Sequence, residues 1–243
     1  MIFLRSCLFF VCFWLWSILM NVAFLPMLAF NRIWIVRGQT IWSKGILVLM
    51  KNICGLKVEV RGQENLPEGR ALIACKHQSI FETTAFHWLV NDPAVILKKE
   101  LLSVPIYGWY CRKTKMIAVD RKGHASALRS MIAQAEQALE DERQIVIFPE
   151  GTRTAVDEDL PYQPGIAALY SKLNTPIIPM ALNTGLFWPR KKFLCHPGTI
   201  VIEFLPPIEA GLKRKEFVGQ LKACIDENTT RLIEEGRRKH IEK

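Results

Sequence analysis

A histidine and a glutamate five positions apart are the first residues of this chain whose types and spacing could do chemistry. His77 follows the apolar run Ala71–Cys75, and Glu82 lies in the next segment. On one regular helix the two side chains would point about 140° apart. If His77 instead precedes the first turn, its ring can fold back onto Glu82. The carboxylate then holds one ring nitrogen as a donor and leaves the other free to accept a proton. The alternative is a histidine that only caps the helix.

A second polar element is the hexapeptide FPEGTR at 148–153, which also follows an apolar run. Pro149 prevents the strand from continuing, and Gly151 permits a sharp reversal. The turn is predicted to expose Glu150, Thr152 and Arg153. A guanidinium and a hydroxyl presented together suit a phosphate group, whereas an ordinary charged surface turn would have no ligand.

Cations follow two more apolar runs. Arg121 comes shortly after Met116–Val119, and Lys98 and Lys99 end the run Ala94–Leu97. Because ligands bind at the carboxyl ends of strands in open α/β sheets, these cations are expected near His77.

Seven short runs and several amphipathic segments must position these residues. The predicted strands are Lys57–Val60, Ala71–Cys75, Ala94–Leu97, Met116–Val119, Ile145–Phe148, Ile177–Leu182 and Thr199–Phe204. The predicted helices are Ile80–Leu89, Ser126–Glu142, Gly165–Leu173 and about Lys213–Arg238. Strands without polar alternation are typical of a sheet covered on both faces. The pattern therefore predicts an α/β fold with a mixed, largely parallel sheet flanked by helices.

The chain begins with a segment suited to a membrane. Ser6–Phe30 contains no charged residue over 25 positions, which as a helix would extend about 38 Å against a hydrocarbon core of roughly 30 Å. This length favours a retained segment over a cleaved signal peptide. Pro26 leaves open whether the segment spans the bilayer or inserts from one side.

The following stretch, 33–51, is predicted to be an interfacial helix. Arg37, Lys44 and Lys51 recur every seven residues, so a helix places them on one face, against anionic lipid headgroups. The alternative is a core helix with a solvated stripe. Basic residues after the first segment predict that the bulk of the protein is cytoplasmic. We therefore expect a membrane anchor at 1–54 and a catalytic domain at 55–243.

Composition narrows the choice of partners. Lys and Arg outnumber Asp and Glu by 32 to 23, a net charge of +9, which favours an anionic partner. The basic residues are dispersed and lack interleaved aromatics, so nucleic acid is not expected. Seven scattered cysteines without a CxxC pair indicate neither a disulfide framework nor a zinc site. The 14 glycines are too far apart for common nucleotide-binding loops.

Taken together, these elements resemble the 1-acyl-glycerol-3-phosphate acyltransferases of the glycerolipid acyltransferase superfamily. The resemblance rests on 77–82 and FPEGTR at 148–153. It extends to Gly108–Arg121 and Thr175–Pro179, and it covers about 55–205. Glu82 departs from the family pattern, which has aspartate at this position.

The resemblance implies that His77 is the general base and that Glu82 orients it. It implies an acyl-CoA or acyl carrier protein donor and a lysophospholipid acceptor, 1-acyl-sn-glycerol-3-phosphate, which becomes phosphatidic acid. Arg153, Arg121 and Lys98 would bind the acceptor's phosphate. Glu150, Gly151 and Thr152 would bind its glycerol end. No metal and no cofactor are implied, because a thioester is already activated.

The expected location is the cytoplasmic face of the inner membrane, where the basic surface would contact anionic lipid. Three alternatives remain open. One is an acyltransferase with another lyso-lipid or glycerol 3-phosphate as acceptor, another is a thioester hydrolase, and the third is a non-catalytic lipid-binding membrane protein.

Overall fold

Seven apolar runs form one mixed sheet in the computed structural model, which describes residues 1–241. The strands are β1 (Leu56–Arg61), β2 (Ala71–Cys75), β3 (Pro93–Lys98), β4 (Ile117–Val119), β5 (Gln144–Ile147), β6 (Ile177–Leu182) and β7 (Gly198–Phe204). Every predicted strand is confirmed to within one residue at each end. The reason is that apolar runs bounded by polar residues are local signals of a buried strand.

The helices alternate with these strands. They are α1 (Ile2–Ala23), α2 (Arg32–Leu49), α3 (Phe81–Leu89), α4 (Tyr107–Lys113), α5 (His124–Glu140), α6 (Pro164–Leu173), α7 (Thr184–Phe187) and α8 (Arg214–Ile241). All four helices predicted for the globular part are confirmed. The sequence did not predict α4 and α7, because helices of one or two turns are too short to show a period.

The strand order is β1-β7-β6-β2-β5-β3-β4. Only the pairing of β6 with β7 is antiparallel among the described strands. Strands β6, β2, β5, β3 and β4 are therefore parallel neighbours, and their carboxyl ends meet along one side of the sheet, here called the carboxyl edge. The predicted mixed, largely parallel sheet is confirmed.

The two faces of the sheet carry separate cores. Ile73 and Cys75 pack with residues of α1 to α4, whereas Leu72 and Ala74 pack with α5, α6 and α8. This alternation follows from the period of two along a strand. Because both faces are covered, the central strands are apolar throughout, as the sequence predicted.

Helix α1 is bound to the domain along only one stripe. Its buried residues are Ser6, Phe9, Phe13, Ser17 and Met20, and the apolar side chains on its other side are exposed. Among the described residues it is the one helix long and apolar enough to cross a membrane. It ends at Ala23, and a 3-10 turn containing Pro26 (Leu25–Ala29) leads into α2. These features support membrane association of the N-terminal segment.

Helix α2 and the helical turn that follows it present the predicted basic stripe. Arg37, Lys44 and Lys51 are all exposed, with Trp34 and Ile41 exposed beside them. The helix that was predicted for 33–51 is therefore confirmed, and a π-helical turn extends it through Met50–Cys54.

An ion network ties the start of α2 to the amino ends of the strands. Arg32 donates two hydrogen bonds to Asp92, one of 2.7 Å, and the buried Arg143 lies 3.3 Å from the same carboxylate. Burial alone would raise the pKa of Asp92, but the hydrogen bond from Arg32 and the charge of Arg143 outweigh it, so the pKa is lowered.

Replacing Asp92 by asparagine is expected to destabilise the protein by about 1.5–3 kcal/mol, because two guanidinium groups lose their shared carboxylate. Denaturant unfolding at neutral pH measures this loss. The difference should shrink as the pH falls through the lowered pKa of Asp92, since the wild-type carboxylate then becomes protonated. The control is Asp157→Asn, which removes an exposed ion pair with Arg237 and should cost at most about 1 kcal/mol. Equal losses in the two variants would contradict the role of the network.

Candidate active site

His77 and Glu82 meet where β2 turns into α3. The Nδ1 atom of His77 lies 2.8 Å from Oε2 of Glu82, and the Ser79 amide donates to the same oxygen at 2.8 Å. The predicted fold-back of the imidazole is confirmed. A carboxylate has no proton to donate, so Nδ1 carries the hydrogen and Nε2 is left as the acceptor.

The other oxygen of Glu82 is bound by the segment that follows the neighbouring strand β6. The Thr184 hydroxyl donates to Oε1 of Glu82, and the Gly185 amide donates to the side chain of Gln78 at 3.1 Å. Both partners belong to α7, directly after β6. Sequence reasoning missed Thr184, although a polar residue after the apolar run Ile177–Leu182 repeats the signal seen at the other strand ends.

Two side chains from FPEGTR contact the imidazole of His77. Its ring stacks on Phe148 with centroids 4.0 Å apart and an angle of 20° between the planes. The Nε atom of Arg153 donates towards Nε2 of His77 at 3.4 Å. The acceptor nitrogen of His77 therefore faces a cation at the carboxyl edge.

Further cations lie along the same edge. Arg121, at the end of β4, donates to the carbonyl of Gly151, which joins β4 to the FPEGTR turn across β3. Lys98 ends β3 between them and is exposed, as is Thr152. The structure thus brings Arg121 and Arg153 to one turn and places Lys98 on the intervening strand.

Arg190 is an additional cation that sequence reasoning missed. It donates to the carbonyl of Arg153 and lies 3.3 Å from Glu158. Its signal in the sequence is weak, because it follows a short aromatic segment rather than a strand.

The predicted exposure of Glu150 is wrong. Glu150 is 3% exposed and lies beneath His77, where it accepts the amide hydrogen of His77 at 3.4 Å and the hydroxyl of Thr154 at 3.2 Å. Gly151 adopts φ +69°, and this left-handed turn sends Thr152 outward while Glu150 stays inside. Burial raises the pKa of Glu150, and Lys76 offsets part of that increase.

Lys76 is the counter-charge of Glu150. Its Nζ atom lies 3.4 Å from Oε1 of Glu150 and 2.7 Å from Asp226 on α8. The side chain is 7% exposed. Two buried charges next to His77 therefore tie the end of β2 both to the FPEGTR turn and to the C-terminal helix.

This arrangement has a definite chemical capacity. A histidine with one nitrogen fixed as a donor can take a proton from a hydroxyl at its other nitrogen. A row of arginines and a lysine on the same edge can hold an anionic group of the molecule that carries the hydroxyl.

Comparison with known proteins places this chain in a family. Residues 57–183 match the family model described as Acyltransferase. A 1-acyl-sn-glycerol-3-phosphate acyltransferase of Pseudomonas aeruginosa is 36% identical over 169 residues, covering 70% of this chain and 66% of that protein. The protein of the same name from Limnanthes alba is 30% identical over 176 residues, covering 72% of this chain and 59% of that protein. The matched region thus spans somewhat less than two thirds of these relatives.

The fold has a solved counterpart. The crystal structure of the 1-acyl-sn-glycerophosphate (LPA) acyltransferase PlsC from Thermotoga maritima superposes with a TM-score of 0.78, covering 96% of this chain and 98% of that one. At 20% sequence identity, this likeness concerns the fold.

Proposed function

Because this chain belongs to the Acyltransferase family, we propose that it transfers an acyl group from a thioester donor to the free hydroxyl of 1-acyl-sn-glycerol-3-phosphate. The product is phosphatidic acid. The contact between His77 and Glu82 carries the proposal, because it leaves a proton-accepting nitrogen beside Arg153. The names of the relatives from Pseudomonas and Limnanthes support this acceptor.

In the proposed reaction, Nε2 of His77 removes the proton from the acceptor hydroxyl as its oxygen attacks the thioester carbonyl. The carbon–oxygen bond forms, and the tetrahedral intermediate collapses with cleavage of the carbon–sulfur bond. The sulfur of coenzyme A or acyl carrier protein leaves as the thiol, taking the proton that His77 removed and returning the imidazole to its neutral form. Glu82 stabilises the imidazolium formed at His77. Help from a general base of this kind is worth about 10²–10⁴ in rate.

We assign the phosphate of the acceptor to Arg153, Arg121 and Lys98. Their positions at the carboxyl ends of three neighbouring strands support this assignment. Thr152 and Gly151 would contact the glycerol, since Thr152 is exposed beside Arg153. Glu150 is buried, so we propose that it acts on the substrate only through the main chain of His77.

The acceptor carries a long acyl chain, so the site must work at a membrane surface. We propose that α1 and α2 anchor the chain through their exposed apolar side chains and that the basic stripe of α2 contacts anionic lipid. The division into an anchor at 1–54 and a catalytic domain at 55–243, of which 242–243 lie outside the described residues, stays a prediction. So does a cytoplasmic orientation at the inner membrane.

The test measures acyl transfer by the purified full chain in detergent. One arm uses labelled acyl-CoA as the donor, and the other uses labelled acyl-acyl carrier protein. Phosphatidic acid formed from lysophosphatidate is the expected product, and the more active arm identifies the donor. Free fatty acid released without acceptor would indicate a hydrolase instead. If neither donor gives a product, glycerol 3-phosphate and other lyso-lipids are the acceptors to assay, and absence of transfer to all of them would contradict catalysis.

A further inference from the structure

Exposed large hydrophobic side chains are concentrated on one side of this molecule. Among the described residues they occur in the first 48 positions, at Phe193, and in the segment 101–109. Phe193 stacks on Phe10 of α1 with centroids 4.8 Å apart. The described parts of α5, α6 and α8, which cover the opposite face of the sheet, present no such side chain. The asymmetry indicates a partner that meets the face carrying α1 to α4.

The segment 101–109 belongs to the globular part, yet it carries four of these side chains. They are Leu101 (36% exposed), Val104 (42%), Tyr107 (44%) and Trp109 (48%). Four large apolar side chains exposed within nine residues indicate an interaction surface.

The shape of this segment is fixed. Ile106 has φ +64° and ψ −59°, and the Tyr107 amide donates to the carbonyl of Pro105 at 2.7 Å, which is a strained γ-turn. Gly108 packs so closely that a Cβ there would lie 2.0 Å from the carbonyl oxygen of Leu102. The segment therefore holds its apolar side chains outward instead of collapsing over them.

The segment 101–109 lies beside the exposed apolar surface of α1. The Tyr110 hydroxyl donates to the carbonyl of Asn21 near the end of α1, and α4 also packs against α2 and the turn Leu25–Ala29. Tyr107 and Trp109 are the residue types that favour the bilayer interface. Lys98, Lys99 and Arg112 flank them and are exposed. Apolar, aromatic and cationic groups in this arrangement match an anionic phospholipid surface.

We propose that the segment 101–109 inserts into the interfacial layer of an anionic phospholipid bilayer as a second membrane contact, in addition to α1 and α2. Two contacts prevent the domain from rotating about the N-terminal helices. Because Lys98 and Lys99 directly precede the segment, the cations at the end of β3 are held at the depth of the headgroup phosphates. The role of Lys98 in binding the phosphate of the acceptor rests on the proposed function, whereas the membrane contact of 101–109 does not.

The test uses the full chain bound to phosphatidylglycerol and phosphatidylcholine vesicles, with and without bromine on the acyl chains. Subtracting the emission of Trp109→Phe from that of the wild type isolates Trp109. Bromolipid is expected to quench this component, because a tryptophan in the interfacial layer lies close to the brominated acyl chains. The control Ala133→Trp puts an exposed tryptophan on α5, on the opposite face of the sheet. The emission that it adds should be the same in brominated and plain vesicles.

A second variant separates insertion from mere proximity. Leu101→Asp combined with Val104→Asp changes exposed positions, so the fold should survive. Quenching of Trp109 should then fall to the level of the α5 control. Equal emission of Trp109 in brominated and plain vesicles would overturn the proposal, as would shielding of Trp109 by a second copy. Neither readout uses catalysis, so a failure to form phosphatidic acid leaves this test intact.

Discussion

Replacing His77 by asparagine is expected to lower the rate of acyl transfer about 10²–10⁴-fold while the protein stays folded. The asparagine amide can still donate to Oε2 of Glu82, so the hydrogen bond that closes the turn before α3 has a substitute. The asparagine side chain has no basic nitrogen with which to take the proton of the acceptor hydroxyl. The measurement is kcat with saturating lysophosphatidate, accompanied by the thermal midpoint of each protein.

The matched control is His124→Asn. His124 is exposed at the start of α5 and has φ +42°, a conformation that asparagine tolerates. Among the described residues no hydrogen bond or ion pair joins it to His77 or FPEGTR, so its kcat should equal that of the wild type. If His77→Asn kept the wild-type rate as well, His77 would not be the base.

Replacing Lys76 by methionine is expected to destabilise the protein by about 3–5 kcal/mol, because the change leaves the buried Glu150 without its counter-charge. Methionine has nearly the volume of lysine, so little of the loss comes from packing. Asp226 keeps Lys222 as a partner. Denaturant unfolding measures the free energy. The variant should also have a lower kcat, since Glu150 accepts the amide hydrogen of His77.

Two further variants show whether the loss belongs to the buried pair. Lys222→Met makes the same change at a more exposed ion pair, 28% exposed, and should cost about 1 kcal/mol or less. Combining Lys76→Met with Glu150→Gln removes both charges and should recover part of the stability, with a coupling of about 0.5–3 kcal/mol. A Lys76→Met loss no larger than that of Lys222→Met would contradict a structural role for the pair.

The buried pair also explains why FPEGTR was only partly interpreted from the sequence. The order Pro-Glu-Gly predicted a turn correctly, since Gly151 adopts a positive φ. This order of residues did not show which side chains of the turn face inward. That depends on Lys76, which directly follows β2, 74 positions earlier, and makes burial of Glu150 tolerable by supplying a cation.

The amino-acid sequence by itself determined the strands, the longer helices and the end of each strand at which the chemistry lies. Apolar runs, their polar ends and the spacing of His77 and Glu82 are local properties, and local periodicity decides whether a residue is in a strand or at its end. The seven strands, the exposed basic stripe of α2 and the contact between His77 and Glu82 were predictable for this reason.

Only the tertiary structure decided which strand ends are neighbours. The order β6-β2-β5-β3-β4 places Thr184 against Glu82 from 102 residues away and Asp226 against Lys76 from 150 residues away. No local pattern encodes such a contact, because it arises from how whole faces of the sheet are covered. The same packing buries Glu150 and leaves the segment 101–109 exposed beside α1, since each side chain's environment is set by the element that packs over it.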